Sequence, residues 1–132
     1  MYGYSSVSIN TGDTSGGSGS STANNTSSHV VVGQICSIGV TYNGSPPAST
    51  DLVIATAGNN GPALTILTLT NANSDGWFHP RHKIEDESAA DVTYDGTNEV
   101  YDKVCVADNI KVTVSQANDD DSVDVVVVYA GA

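Results

Sequence analysis

The stretch Ile110–Tyr129, IKVTVSQANDDDSVDVVVVY, decides the fold class. Ile110, Val112 and Val114 alternate with Lys111, Thr113 and Ser115, the period of two expected of a strand with one face in a core. Gln116–Asp121 interrupts with polar turn residues, and Val123–Tyr129 resumes as a β-branched run. The pattern predicts a long antiparallel hairpin, Ile110–Ser115 with Val123–Tyr129. The unbroken apolar positions Val125, Val126, Val127 and Val128 exceed what a half-buried strand needs. They predict a strand covered on both sides, by the core or by a neighbouring subunit.

The same signals recur upstream. His29–Gly39 contains the run Val30–Val32, and Gly39–Tyr42 continues as a strand up to the turn Asn43–Pro47. Asp51–Ala57 reads as a strand closed by Gly58–Gly61. Ala63–Asn71 alternates in two phases, Leu64 and Ile66 against Leu67 and Leu69. That change of phase predicts either a strand apolar on both faces or a bulge at Ile66–Leu67. Gly76–Ile84 is irregular because Pro80 restricts it to an edge or a bend. Asp91–Tyr94 and Val100–Val106 flank a loop containing Asp95–Gly96. No amphipathic helix is evident; Lys83–Asp91 is short and polar. About eight strands with turns every eight to twelve residues predict an all-β fold, a single antiparallel β-sandwich or jelly-roll-like domain over residues 29–132.

Residues 1–28 read differently. The tract SSVSINTGDTSGGSGSSTANNTSS, residues 5–28, has too little apolar surface to offset its ordering entropy. It predicts a flexible N-terminal arm, with a reach of about 80 Å at about 3.3 Å per residue. Tyr2 and Tyr4 at its tip are candidate anchors on a partner.

Charge limits the partners. The 132 residues hold 4 Lys plus Arg and 15 Asp plus Glu, a net charge of −11. Such a surface repels nucleic-acid phosphates and anionic lipid, so neither direct nucleic-acid binding nor membrane binding is expected. No secretory signal and no apolar run of membrane-spanning length is visible. Cys36 and Cys105 both lie in β-like runs. A disulfide between sheets and two free thiols both fit the spacing. Apolar context without a secretion signal favours buried, unlinked thiols in a reducing cytoplasm.

Catalytic patterns are missing from the sequence. Gly-x-Ser sequences such as Gly16–Gly17–Ser18 lie in the low-complexity tract, outside any strand-to-helix elbow. No phosphate-cradling loop ends in Lys. His79 and His82 are three apart, which on a strand places them on opposite faces and argues against a shared metal. Asp119–Asp121 with Asp124 lacks the spacing and central glycine of a calcium loop, so a solvated hairpin tip is expected. No catalytic residue, cofactor or metal is assigned. The densest unusual segment is Trp77–His82, WFHPRH, which holds the only Trp, the only Phe and the only Arg in the chain. Trp and Arg are common interface anchors, which makes Trp77, Phe78 and Arg81 candidate contact residues together with Val125–Val128.

From Trp77 to the C-terminus the pattern resembles the small decoration, or cement, proteins of tailed-phage capsids, carried by Trp77–Arg81, Asp91–Tyr101 and Ile110–Tyr129, and the polar N-terminus fits as well. The resemblance covers a little under half the chain. It is one of texture and order, without a catalytic motif. It implies a non-enzymatic virion protein assembled in the host cytoplasm, bound as a homotrimer to the outside of the capsid. The major capsid protein is the implied partner, and the shell is what it stabilises. Two other readings remain open, a carbohydrate-binding or adhesive module and a tail or fibre component. Exposure of Trp77 would favour the sugar reader, and its burial at a threefold interface the cement protein.

Overall fold

The computed structural model describes residues Gly3 to Gly131; Met1, Tyr2 and Ala132, and with them the anchor expected at Tyr2, lie outside that range. Ten strands follow in order: β1 Gly3–Asn10, β2 Ser21–Thr26, β3 Val31–Asn43, β4 Asp51–Thr56, β5 Thr65–Leu69, β6 Gly76–Phe78, β7 Arg81–Lys83, β8 Tyr101–Asp108, β9 Ile110–Ala117 and β10 Ser122–Gly131. They form two antiparallel sheets. One runs β1-β10-β3-β8-β7, with β6 also paired to β3, and the other runs β2-β9-β4-β5. This is the all-β sandwich expected from the patterning, and the described residues contain no helix.

The core lies between the sheets and is built almost wholly from β-branched residues at alternate positions. Ile35, Ile38, Val125 and Val127 of one sheet face Leu52, Ile54, Ile110 and Val112 of the other, all fully buried. Branching at Cβ suits these side chains to a pleated, half-buried surface. The two phases of Ala63–Asn71 are resolved by a bulge. Leu67 pairs with Ile54 and Thr65 with Ala55, which leaves Ile66 unpaired in the ladder and turned into the core.

Pro80 divides the run Gly76–Ile84. It has no N–H for a ladder and is buried between β6 and β7. Asp91–Tyr94 is not a strand. It contributes only the isolated bridges Glu85↔Asp91 and Thr93↔Glu99, because Asp95 Oδ1 captures the N–H groups of Thr97 and Asn98 and curls the chain.

The terminal hairpin is corrected by the structure. β9 lies between β2 and β4, whereas β10 lies between β1 and β3 in the opposite sheet. The connection at Asn118–Asp121 therefore crosses the sandwich. Gln116 and Asp120 adopt φ of 53° and 61° to make the crossing. Asp121 is buried at 3% exposure, and its carboxylate accepts the N–H groups of Ser45 (2.8 Å) and Asn118 (2.9 Å). Alternation dictates which face of each strand is buried, and two strands facing each other across a core satisfy it as well as two paired side by side.

The flexible arm is corrected too. β1 pairs with β10 in unbroken register from Gly3↔Gly131 to Asn10↔Asp124, and β2 pairs with β9. Val7 and Ile9, separated by one serine, supply the apolar contact at 6% and 3% exposure. An edge strand needs few apolar side chains because its ladder carries much of the ordering cost. Thr14 between the two strands and Ser21 at the start of β2 are buried at 1% and 0% exposure, and Ser21 Oγ donates to the Gly17 carbonyl (2.9 Å).

Candidate contact surface

The outward face of the larger sheet is organised around Gly39. It pairs in register with Val126 of β10 on one side and with Trp77 of β6 on the other. A Cβ on Gly39 would lie 3.0 Å from Cη2 and Cζ3 of the indole, so the six-membered ring covers the glycine. An aromatic ring over a glycine is a known means of restoring packing on a sheet. Trp77 itself remains 62% exposed. Beside it lies a shallow depression of about 290 Å³, lined by Gly39, Thr41, Asp75, Trp77, Asp124 and Val126.

The polar rim of this depression is held by local bonds. Asp124 accepts Asn10 Nδ2 (2.6 Å) and Asn43 Nδ2 (2.9 Å), which hold its carboxyl below the usual range. Asp75 Oδ1 accepts the Tyr42 N–H at 2.8 Å. The Tyr42 hydroxyl is buried without a partner among the described residues. Burial and then the Asp75 charge raise its pKa.

The expected contact residues separate into three groups. Trp77, Val126 and Val128 share the outward face, the valines half-buried, and alternation along β1 puts Tyr4, 75% exposed, on that face as well. Val125 and Val127 point into the core at 0% exposure, so they are unavailable for contact. The second cover expected for Val125–Val128 is therefore only partial within the chain. Phe78 is half-buried and packs on the core. Arg81 is exposed, with Nη1 donating to the Pro80 carbonyl (2.8 Å) and the Cys36 carbonyl (3.4 Å).

Sequence reasoning missed a cationic strip. Arg81 pairs directly with Lys103, and Lys83 with Tyr101, so three of the 4 cations in the chain meet on β7 and β8. Lys83 Nζ bridges Glu99 (3.2 Å) and Asp91 (3.3 Å), and the bond to Glu99 and then that to Asp91 raise the lysine pKa. The Glu99 backbone N–H and then Lys83 lower that of Glu99. The signal was present as i, i+2 spacing at positions 81 and 83, but it needed the pairing with β8 to become a patch.

The histidines and cysteines stand apart. His29, His79 and His82 are exposed. No group of three or more His, Cys, Asp or Glu among the described residues could hold a metal ion. The cysteines are unbridged. Their expected burial is corrected: Cys105 is exposed opposite Gln34, because Val104 and Val106 occupy the inward positions. Cys36 is half-buried at a bulge in β3, where Ser37 pairs with Val128 and Ile35 with Tyr129.

Asp108 is the most heavily bonded carboxylate. At 5% exposure it accepts the N–H groups of Gly58 (3.0 Å), Asn59 (3.0 Å), Asn60 (3.3 Å) and Asn109 (2.7 Å). Burial pushes its pKa up, and the backbone donors outweigh that and leave it lowered. The role is structural, since the carboxylate ties the β4–β5 loop to β8.

No family model matches the chain, and no curated protein matches it. Among solved structures, the crystal structure of FLHE is similar over 97% of this chain and 96% of that one, with a TM-score of 0.43 and 13% identity. A likeness at that level says nothing about function.

Proposed function

We propose that this chain is a non-enzymatic structural protein of a phage virion that docks on the outside of the capsid and stabilises the shell, with the major capsid protein as its partner. The observation that supports this reading is the outward face of the larger sheet. It sets Trp77 beside the half-buried Val126 and Val128 as one apolar strip that a neighbouring surface could bury, in a chain whose net charge is −11. A flat face of this kind suits contact with another broad surface, and an exposed tryptophan is a typical anchor. The surrounding acidity requires shell contacts that are apolar or basic, so moderate salt weakens binding without abolishing it. The test is imaging and heating of capsids with and without the protein. Occupied sites, a raised rupture temperature and loss of both with Trp77→Ala support the reading. Bare capsids of unchanged stability overturn it.

A second reading is favoured by one observation, the exposure of Trp77 itself. An aromatic platform with Thr41, Asp75 and Asp124 beside it has the composition of a sugar subsite. Saturable quenching of Trp77 fluorescence by a defined glycan, with calorimetric binding of that glycan lost in Trp77→Ala, would replace the capsid reading with a carbohydrate-binding one.

A further inference from the structure

Five strands lie at lateral edges, β1, β6 and β7 of one sheet and β2 and β5 of the other, and four carry some protection against pairing with another chain; β6 is only three residues long. β7 is three residues long and bears Arg81 and Lys83. β5 is bulged at Ile66, and β2 shifts register between Ser21 and Ala23. Short length, charge and bulges are the usual means of blunting an edge. β1 has none of them. Its eight residues, GYSSVSIN, hold no charge and no proline, and all eight pair with β10 without a shift.

The phase of its backbone is fixed by two contacts. Thr11 donates its N–H to the Val123 carbonyl of β10 (3.0 Å), so by alternation Ile9, Val7 and Ser5 turn their polar groups toward β10. The Asn10 carbonyl turns the other way and is taken by Asn25 Nδ2 at 2.8 Å. Tyr4, Ser6 and Ser8 share that outward phase. All three are exposed, and no side chain among the described residues bonds to their backbone groups. Three successive outward-facing residues therefore offer N–H and C=O to solvent.

We propose that β1 is a self-pairing edge, and that its occupant is β1 of a second copy of this chain. The strip is self-complementary about Ser6. An antiparallel partner centred there sets Ser6 against Ser6, Tyr4 against Ser8 and Ser8 against Tyr4, and each pair exchanges two bonds. This register uses every N–H and C=O of Tyr4, Ser6 and Ser8 and keeps inward side chains beside inward ones, Val7 next to Ser5 of the other copy. Charge favours the same partner. None of the 15 carboxylates lies on β1, so two strongly acidic chains meet along a strip without charge. Repulsion between the remaining surfaces is screened by salt, so salt strengthens the dimer. Edge pairing over Tyr4–Ser8 is short for a stable interface, which should clear about 1,000 Å², so the dimer is weak and forms at high protein concentration. The symmetry is twofold, in place of the threefold that the resemblance implied. The inference does not rest on the capsid reading, and failure to bind capsids leaves it unaffected.

The test is sedimentation equilibrium from micromolar to millimolar protein, at low and at moderate salt. The wild-type mass is expected to rise toward that of a dimer with both concentration and salt. Ser6→Pro removes an outward N–H while leaving the β1–β10 ladder intact, and it should stay monomeric with an unchanged melting curve. Cysteine placement checks the register, in a background of Cys36→Ser and Cys105→Ser. Facing Cα atoms in such a pair lie about 5.5 Å apart, within disulfide range. Ser6→Cys should therefore oxidise to a covalent dimer, whereas Ser8→Cys, remote from its own copy, should not. Should Ser6→Pro fail to fold, the cysteine pair decides alone. A mass that stays monomeric at millimolar protein overturns the proposal. So does a trimer, a dimer that persists in folded Ser6→Pro, or equal cross-linking of the two cysteine variants.

Discussion

The indole of Trp77 rests on Gly39, its register partner across β3 and β6, so that the glycine is buried although it faces outward. Gly39 does not have a positive φ, and what the site requires is the missing Cβ. The sole tryptophan of the chain is thereby held flat on the surface proposed for contact.

Gly39→Ala is expected to lift that ring. The added methyl would meet Cη2 and Cζ3 at 3.0 Å and force the side chain outward. Overpacking of this kind costs about 1–3 kcal/mol. Because Trp77 is the only tryptophan, its emission should shift to the red, and affinity for the proposed partner should fall with no change in circular dichroism. Unaltered emission would show that the ring does not depend on Gly39.

Ile9→Ala is expected to destabilise the protein by about 2–4 kcal/mol in urea unfolding, since Ile9 is 3% exposed beneath β10. A mobile tail would give no change. Removal of residues 3–10 should cost more, because it also strips β10 of one neighbour.

Acid should loosen the β4–β5 loop. The Asp108 pKa is lowered from 3.8 in the folded chain, so its contribution is fully present above about that pH. It is lost as pH falls through the lower, folded value, when the proton displaces the N–H bonds. Asp124 titrates in the same direction. Asp108→Asn should melt lower than wild type at neutral pH, and the two curves should converge in acid. Parallel curves would assign the bonds no pH-linked stability.

Tyr42→Phe is expected to be neutral, or stabilising by up to about 1 kcal/mol, since it deletes a buried hydroxyl without a partner. Loss of stability in chemical denaturation would reveal an acceptor for that hydroxyl.

Alternation at Val104 and Val106, Val112 and Val114, and Val125 and Val127 made the fold class and much of the core readable from the chain. The bulge at Ile66 was legible as one of two options, because a phase change leaves a mark in the sequence. Partnering was not legible. β9 and β10 look like a hairpin because their burial patterns carry no information about which sheet each joins. β1 was hidden by composition: two apolar residues among serines look like linker when the whole tract is counted, and like a strand only when alternate positions are read. The contact face was half legible. Trp77 and Val126 were named, but their adjacency depends on Gly39, which draws no notice in the sequence.

The pairing of β1 with β10 also constrains how the chain is made. Gly3 meets Gly131, and Val7 meets Val127, so β1 cannot pair until β10 has been made. β2 likewise waits for β9. Neither sheet can close before β9 and β10 have been made, and each closure joins segments far apart in sequence, which slows folding. Until then Val7, Ile9 and the valines of β10 lack cover, and the nascent chain depends on its acidity to stay apart from its neighbours.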